Sequence, residues 1–403
     1  MKSFKTTLLS LAVILLSLTA FANADRQLID LGPGVAYSIN DKGQIVGCDY
    51  YYTGEPDTIP PINATLFDST GGGANIKLGT LNGDNWARAY SINNSGQVVG
   101  TSSIGHTTSH ACLFDTTGAG NNKYLGDFGG GISSAKSIND NGLIVGESYS
   151  VSVGQYGCLY TTKYDPLTHK TVPVVVNLGT ISGGFGAPLT RSSALSINNK
   201  GHIVGYVANA SWNDPDFYYA CLFDETGNKA NKKLGALGGS QGTAYSINDS
   251  DQIVGWATTN SNSMHACLFD NTGGGANIDI GTLSNGFDYS YAVSINDLGQ
   301  IVGYASNGFY ELAVLFDATG RGNNIDLNTL IDSSSWTLRQ AYGINNNGWI
   351  VGDMTNASGD THAFLLTPEP ATLLLFALGG LILRKSRLAG RKRNPIRDAL
   401  RRA

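Results

Sequence analysis

Three histidines, His110, His265 and His362, fall at one place in a recurring string, directly before Ala-Cys-Leu-Phe or Ala-Phe-Leu-Leu. Imidazole is a common ligand of zinc and copper, so this recurrence raises the chemistry of a metal ring. The rest of the pattern speaks against it. The matching positions elsewhere hold Asn63, Tyr156, Tyr219 and Leu312, and the histidines belong to the second, fifth and seventh of seven units. Ligation at about 2.1 Å would require all three to meet on an axis. Asp41, Asp140, Asp249 and Asp297 recur in Ile-Asn-Asp loops. Calcium takes about six to eight converging oxygens, and each loop supplies one or two, so these acids read as turn formers. No metal and no cofactor is expected.

Covalent chemistry is equally sparse. Cys112, Cys158, Cys221 and Cys267 share a position that takes Thr65, Val314 and Phe364 in other units. That is the behaviour of a small buried residue. Equivalent positions in neighbouring units should exceed the Cα separation of about 7 Å that a disulfide tolerates, so these thiols, and Cys48, read as free. No HExxH, P-loop or paired-carboxylate signature occurs. The triplets Gly71–Gly73 and Gly273–Gly275 lack a following Lys and read as loops. What escapes the repeat is aromatic: Tyr50-Tyr51-Tyr52, Trp86, Trp212 with Phe217, and Trp336 lie in variable segments. Such rings suit stacking on sugars beside polar partners. No catalytic residue is assigned, and the chain reads as non-enzymatic.

The elements that position these residues are written seven times. AYSINDKGQIVG, AYSINNSGQVVG, AKSINDNGLIVG, ALSINNKGHIVG, AYSINDSDQIVG, AVSINDLGQIVG and AYGINNNGWIVG place their first Ile at 39, 92, 138, 197, 247, 295 and 344. Each unit adds an Ala-Leu-Phe-type run and a Leu-Gly run, giving four short strand candidates between Gly, Asn, Asp and Ser turns. Gly43, Gly96, Gly142, Gly201, Gly299 and Gly348 share a turn slot that calls for positive φ, and Asp251 fills it in the fifth unit. Four strands per unit of about 50 residues, seven times over, predict a seven-bladed β-propeller of four-stranded blades. The chain begins on a Leu-Gly strand and ends on an Ala-Leu-Phe strand. Closure therefore predicts a last blade with one N-terminal and three C-terminal strands. An open β-solenoid is the alternative.

The ends read as addresses. Residues 1–24 carry Lys2 and Lys5, an apolar run from Leu8 to Leu18, and Ala22-Asn23-Ala24, a small-x-small cleavage site. The propeller domain then spans 25–367. Pro368-Glu369-Pro370 precedes thirteen uncharged residues, Ala371 to Leu383, and a basic cluster of Arg384, Lys385 and Arg387. The uncharged run spans only about 20 Å as a helix, short of the roughly 30 Å hydrocarbon core, and the basic flank favours the cytoplasmic side. Residues 388–403 form a basic tail. Of 403 residues 52 are Gly, and 14% are charged. The formal net charge of -5 conceals an acidic body and a basic tail. An acidic body argues against nucleic acid as a partner.

Residues 367–387, TPEPATLLLFALGGLILRKSR, resemble the PEP-CTERM sorting signal of Gram-negative bacteria. The resemblance implies recognition by an exosortase-type enzyme, cleavage near Pro368–Pro370, membrane anchoring through the C-terminal helix before processing, and release to the cell surface or an exopolysaccharide matrix. The further stretch LAGRKRNPIRDALRRA departs from the usual short ending. Residues 26–366 resemble the exported HAF-type repeat family, named for a string seen here at His362-Ala363-Phe364. The expectation is an exported surface or matrix protein, a non-catalytic binding or structural propeller. The alternative is a hydrolase or lyase acting on polysaccharide at the channel.

Overall fold

The computed structural model describes residues 26–50, 62–81, 83–104, 108–151, 154–165, 170–181, 189–209, 217–284, 286–333 and 335–368. The chain is all-β, with seven four-stranded antiparallel sheets that form the blades of a β-propeller. Blade one runs outward as Val35–Ile39, Ile45–Tyr50, Ile62–Phe67 and Ile76–Lys77. Blades two to seven open with the inner strands Trp86–Ile92, Ser133–Ile138, Leu189–Ile197, Gly238–Ile247, Tyr289–Ile295 and Trp336–Ile344. Blade seven adds Ile350–Asn356, Thr361–Pro368 and, as its outer strand, Arg26–Pro33. The closure expected from the phase of the repeat is the one observed, and the open solenoid is excluded. The single helical element among the described residues, a 3-10 turn at Leu327–Leu330, had no periodicity to announce it. Asp326 caps it by accepting from the Asn328 amide.

The ring comprises Leu28–Leu366, and residues 1–27 and 367–403 belong to a separate unit. The final strand runs through Pro368, one residue past the boundary expected from sequence. The signal at 1–24, the apolar run after Pro368 and the tail at 388–403 lie outside the described residues. Among the described residues no helix is long and apolar enough to cross a membrane.

Each blade is apolar on both faces because alternate residues of its second strand point to opposite neighbours. Val46 of blade one packs with Ala87, Ala89, Ile92 and Phe114 of blade two, whereas Ile45 packs toward Val351 and Ala363 of blade seven. A sheet with two such faces is stable only between two others, which is the physical requirement a ring satisfies.

The Ser-Ile-Asn text does more than turn the chain. Asn40 Oδ1 accepts from the amides of Lys42 and Gln44, closing its own turn. Its Nδ2 donates to the carbonyl of Asn93 in the next blade at 2.9 Å. Asn93, Asn139, Asn198, Asn248, Asn296 and Asn345 repeat the contact, and Asn345 returns to Asn40. A second ring runs beside it, in which the next residue's amide donates to the Asp or Asn side chain one blade on, as Asn94 to Asp140 and Asn346 to Asp41. The acids expected as turn formers are thus links between blades. The turn's own cap comes from the preceding Asn. The turn slot has φ +78 at Gly43 and +62 at Asp251, as the sequence required.

Every inner strand carries a β-bulge between the Ala and the Ser of Ala-x-Ser, at Ala36/Ser38 in blade one and Ala341/Gly343 in blade seven. The opposing backbone closes in so far that a Cβ on Gly47 would lie 1.9 Å from Val35 O. This explains the Gly of Ile-Val-Gly, which has no turn to make.

Candidate functional site

An up-and-down meander puts the inner turns and the Asp-x-Thr-Gly hairpins on one face. The loops between second and third strands, and those entering each blade, lie on the other. The first face closes the channel with the two rings of Asn and Asp side chains, around a cavity of about 200 Å³. The second face is chemically more varied, because the residues that position its side chains are the ones the repeat leaves free.

A bulge rotates its extra residue out of the pleat and is a common way to re-aim a side chain. Here the bulged residues are Tyr37, Tyr90, Lys136, Leu195, Tyr245, Val293 and Tyr342, and all seven line a channel cavity of about 160 Å³. The residue after Ile-Val-Gly accompanies each of them, eleven positions later in sequence. Cys48 Sγ lies 3.7 Å from the Tyr37 hydroxyl, and Lys136 Nζ lies 3.3 Å from Glu147 Oε1. Tyr342 has Asp353 as its counterpart, within electrostatic reach.

Between blades two and three this arrangement opens into a cavity of about 200 Å³ lined by Trp86, Tyr90, Thr101, Ser134, Lys136 and Glu147. Burial works against the Lys136 ammonium, but Glu147 outweighs it and holds the amine above its ordinary range. Burial likewise favours neutral Glu147, yet Lys136 holds the carboxyl below its ordinary range, so the pair is ionised. Glu147 accepts from Gln155 Nε2 at 2.5 Å, and Gln155 Oε1 accepts from Tyr149 at 3.0 Å. The Lys136 ammonium lies 4.9 Å over the Tyr90 ring and the Arg88 guanidinium 4.9 Å over Trp86. The site therefore offers an aromatic wall, hydroxyls and a fixed ion pair, the mixture that binds polyhydroxylated molecules.

A second cluster joins blades six and seven. Glu311 accepts from Arg339 and from Gln340, both at 2.6 Å, and Gln340 in turn accepts from the Tyr342 hydroxyl. Asp353 is 6% exposed and its Oδ1 has no hydrogen-bond partner. Burial pushes its carboxyl up to about 7, with Glu311 adding to the shift and Arg339 opposing it.

The sequence-expected residues fall apart by location. Trp86 lines the cavity just described. Trp336 packs on His362 at 4.7 Å in blade seven, away from it in the contacts it makes. Phe217 is half-buried, with its amide bonded to Asn209 Oδ1. Trp212, Tyr51 and Tyr52 lie outside the described residues. The sorting-signal residues Glu369, Pro370, Arg384, Lys385 and Arg387, and the cleavage residues Ala22 and Ala24, also lie outside them. The three recurrent histidines are not brought together: His110, His265 and His362 pair with Asp84, Asp279 and Asp30 at 3.1, 2.9 and 2.8 Å. Among the described residues no group of three or more His, Cys, Asp or Glu is placed to hold a metal.

Sequence reasoning missed Lys136, Glu147, Glu311, Arg339 and Asp353 because it sought exceptions in the loops. For Lys136, Glu147 and Asp353 the available signal was variation inside the repeat, at x of Ala-x-Ser and at the residue after Ile-Val-Gly. A structural position would change little from unit to unit there, whereas these run from Tyr to Lys to Leu and from Cys to Glu to Trp.

A family model described as the PEP-CTERM protein-sorting motif matches residues 366–393. The chain is thus an exported protein with a C-terminal sorting motif of the kind that exosortase-type systems recognise. No curated protein matches. Among solved structures, Trypanosoma rangeli sialidase is similar at 10% identity and a TM-score of 0.40, over 89% of this chain and 58% of that one. The same sialidase in complex with 2,3-difluoro-KDN gives 9% and 0.39, over 89% and 57%. The chain spans less than two thirds of the length of these structures.

Proposed function

We propose that this is a cell-surface or extracellular-matrix protein that binds carbohydrate at the varied mouth of its propeller channel, without turning it over. One observation carries the reading: Trp86, singled out in the sequence as a stacking residue, lines a cavity that also holds the Lys136–Glu147 pair. The ring supplies a rigid apolar face, the ion pair supplies fixed donors and acceptors, and the surrounding hydroxyls complete the polar wall. The HAF-type repeat text agrees with an extracellular role, and the sorting motif with delivery to the envelope of a Gram-negative bacterium, where exopolysaccharide is the carbohydrate at hand. Release by an exosortase-type enzyme would free the ring from the membrane.

Calorimetric titration of the purified ring with matrix polysaccharide fractions tests the binding. Trp86→Ala should abolish it while leaving the melting temperature within a few degrees. Binding that is untouched by that substitution would refute the assignment. Mass spectrometry of the native protein tests release, with a C-terminus near Pro368 as the expected result and a retained Ala403 as the contrary one.

A second reading, a hydrolase or lyase, is favoured by Asp353, whose raised pKa is the property a general acid needs near neutrality. Loss of polysaccharide chain length on incubation with the protein, abolished by Asp353→Asn, would support it in place of the binding reading.

A further inference from the structure

The strands that face the axis have a charge bias opposite to that of the protein. Between leader and tail the chain has twice as many acids as bases. The seven inner strands nevertheless contain no acid and four bases, Arg88, Lys136, Arg191 and Arg339. Two of these are neutralised by acids from other strands, Lys136 by Glu147 and Arg339 by Glu311. Arg191 reaches Gln155 Oε1 at 3.5 Å. Arg88 differs from all three. Its electrostatic neighbours are Tyr90, Tyr37 and Cys48, and its guanidinium lies over Trp86. Among the described residues no carboxylate forms an ion pair with it, and its buried Nε has no hydrogen-bond partner.

A half-buried guanidinium surrounded by rings and a thiol, in a chain rich in acids, is a charge left for something else. Its flat face lies over Trp86 and its edge reaches the Tyr90 hydroxyl and the Cys48 thiol. Neither neighbour is an acid, so a carboxylate can displace them at the N–H fork, which fits it with two parallel bonds. Arg88 also sits on the strand between Trp86 and Tyr90, both of which line the cavity. We infer that Arg88 reads a carboxylate on the ligand, and that the ligand is therefore an acidic, uronate-containing glycan whose ring stacks on Trp86. This rests on the carbohydrate reading above. Repulsion by the acidic body does not oppose it at contact, because exposed charges are screened over about 8 Å at physiological salt.

The test uses the full exported chain and two probes, a short oligogalacturonate and the same oligosaccharide with its carboxyls reduced to alcohols, titrated by calorimetry. The native protein should prefer the acid form by roughly tenfold or more, the worth of a charge-assisted bond. Arg88→Gln should remove that preference without weakening the reduced probe, and Trp86→Ala should weaken both. Arg88→Lys keeps the charge but loses the fork, and should recover only part of the preference. Equal affinity of the native protein for both probes, or an unaltered preference in Arg88→Gln with an unchanged melting temperature, would overturn the inference while leaving the carbohydrate reading intact. Binding of neither probe would remove that reading and this inference with it.

Discussion

The side-chain amide of Asn345 donates to the backbone carbonyl of Asn40 at 2.9 Å, across 305 residues of chain. It is the seventh link of a ring in which every blade holds the next through one Asn. Together with the strand Arg26–Pro33 in blade seven, it makes the first and last blades neighbours like any others. The same Asn side chain caps its own turn, so one residue type fixes both a local and a global feature.

Asn345→Asp separates the two roles. The carboxylate still accepts from the amides of Asn347 and Trp349 but cannot donate to Asn40. The carbonyl keeps the Gly43 amide as a donor, so what is lost is the inter-blade bond, worth about 0.5–1.5 kcal/mol. Urea unfolding should show a loss of that size, and Asn345→Ala, which also loses the cap, should lose more. Equal losses would mean that the inter-blade bond contributes nothing.

The Ile-Val-Gly glycine should be irreplaceable for a steric reason. A Cβ at Gly255 would lie 1.9 Å from Thr243 O, backbone against backbone. Gly255→Ala should cost at least about 1–3 kcal/mol, read as a lower denaturation midpoint. Gly201→Ala has open space around it and should be limited by its φ of +90 alone, at about 1–2 kcal/mol.

Asp353 makes stability fall as pH rises. Its carboxyl is near 3.8 unfolded and about 7 folded, so between those values the native state binds the extra proton. The native state therefore loses stability from about pH 4 upward, and the loss levels off above about pH 7. Asp353→Asn removes the titration. It should match the native protein at pH 4 and exceed it by about 3 kcal/mol at pH 8, measured by melting at both. A variant that loses stability at pH 8 would show that the ionised carboxylate is instead well solvated.

Asp251 titrates in the opposite sense. Burial opposes ionisation, but Lys200, His202 and Asn198 outweigh it and hold the carboxyl at about 2. Its contribution is present above about pH 4 and lost as pH falls toward 2. The pair is well exposed, so the effect is only about 1 kcal/mol. Asp251→Gly also relieves a left-handed φ. Its stability relative to the native protein should therefore improve as pH drops from 5 to 2. No change in that difference would deny the contacts any role.

All five cysteines are free and buried, and burial raises their thiols, Cys112 to about 12. Thiolate is the reactive form. A thiol reagent should label none in the native protein and all five after denaturation, and reductant should leave the melting temperature unchanged. Labelling of the folded protein at Cys48, the one cysteine beside the channel, would indicate an opening there.

The sequence by itself determined what is local or repeated. Seven copies of Ser-Ile-Asn to Ile-Val-Gly set strand count, blade order and closure, because a period and its phase are read directly from spacing. The turn slot at Gly43 and its Asp251 exception followed from backbone sterics within four residues. The tertiary structure alone decided partners that lie one blade, about fifty residues, away. Asn40 makes three of its four side-chain hydrogen bonds within its own turn, where spacing can place them. The fourth goes to Asn93, which spacing cannot pair. The site was hidden for the same reason. A bulge turns Lys136 out of the pleat toward the axis, beside Glu147 on the neighbouring strand, and only the packing of blade two on blade three brings Trp86 and Tyr90 to them. The order of residues along a strand says which side chains alternate. Which of them meet depends on what the neighbouring blade brings.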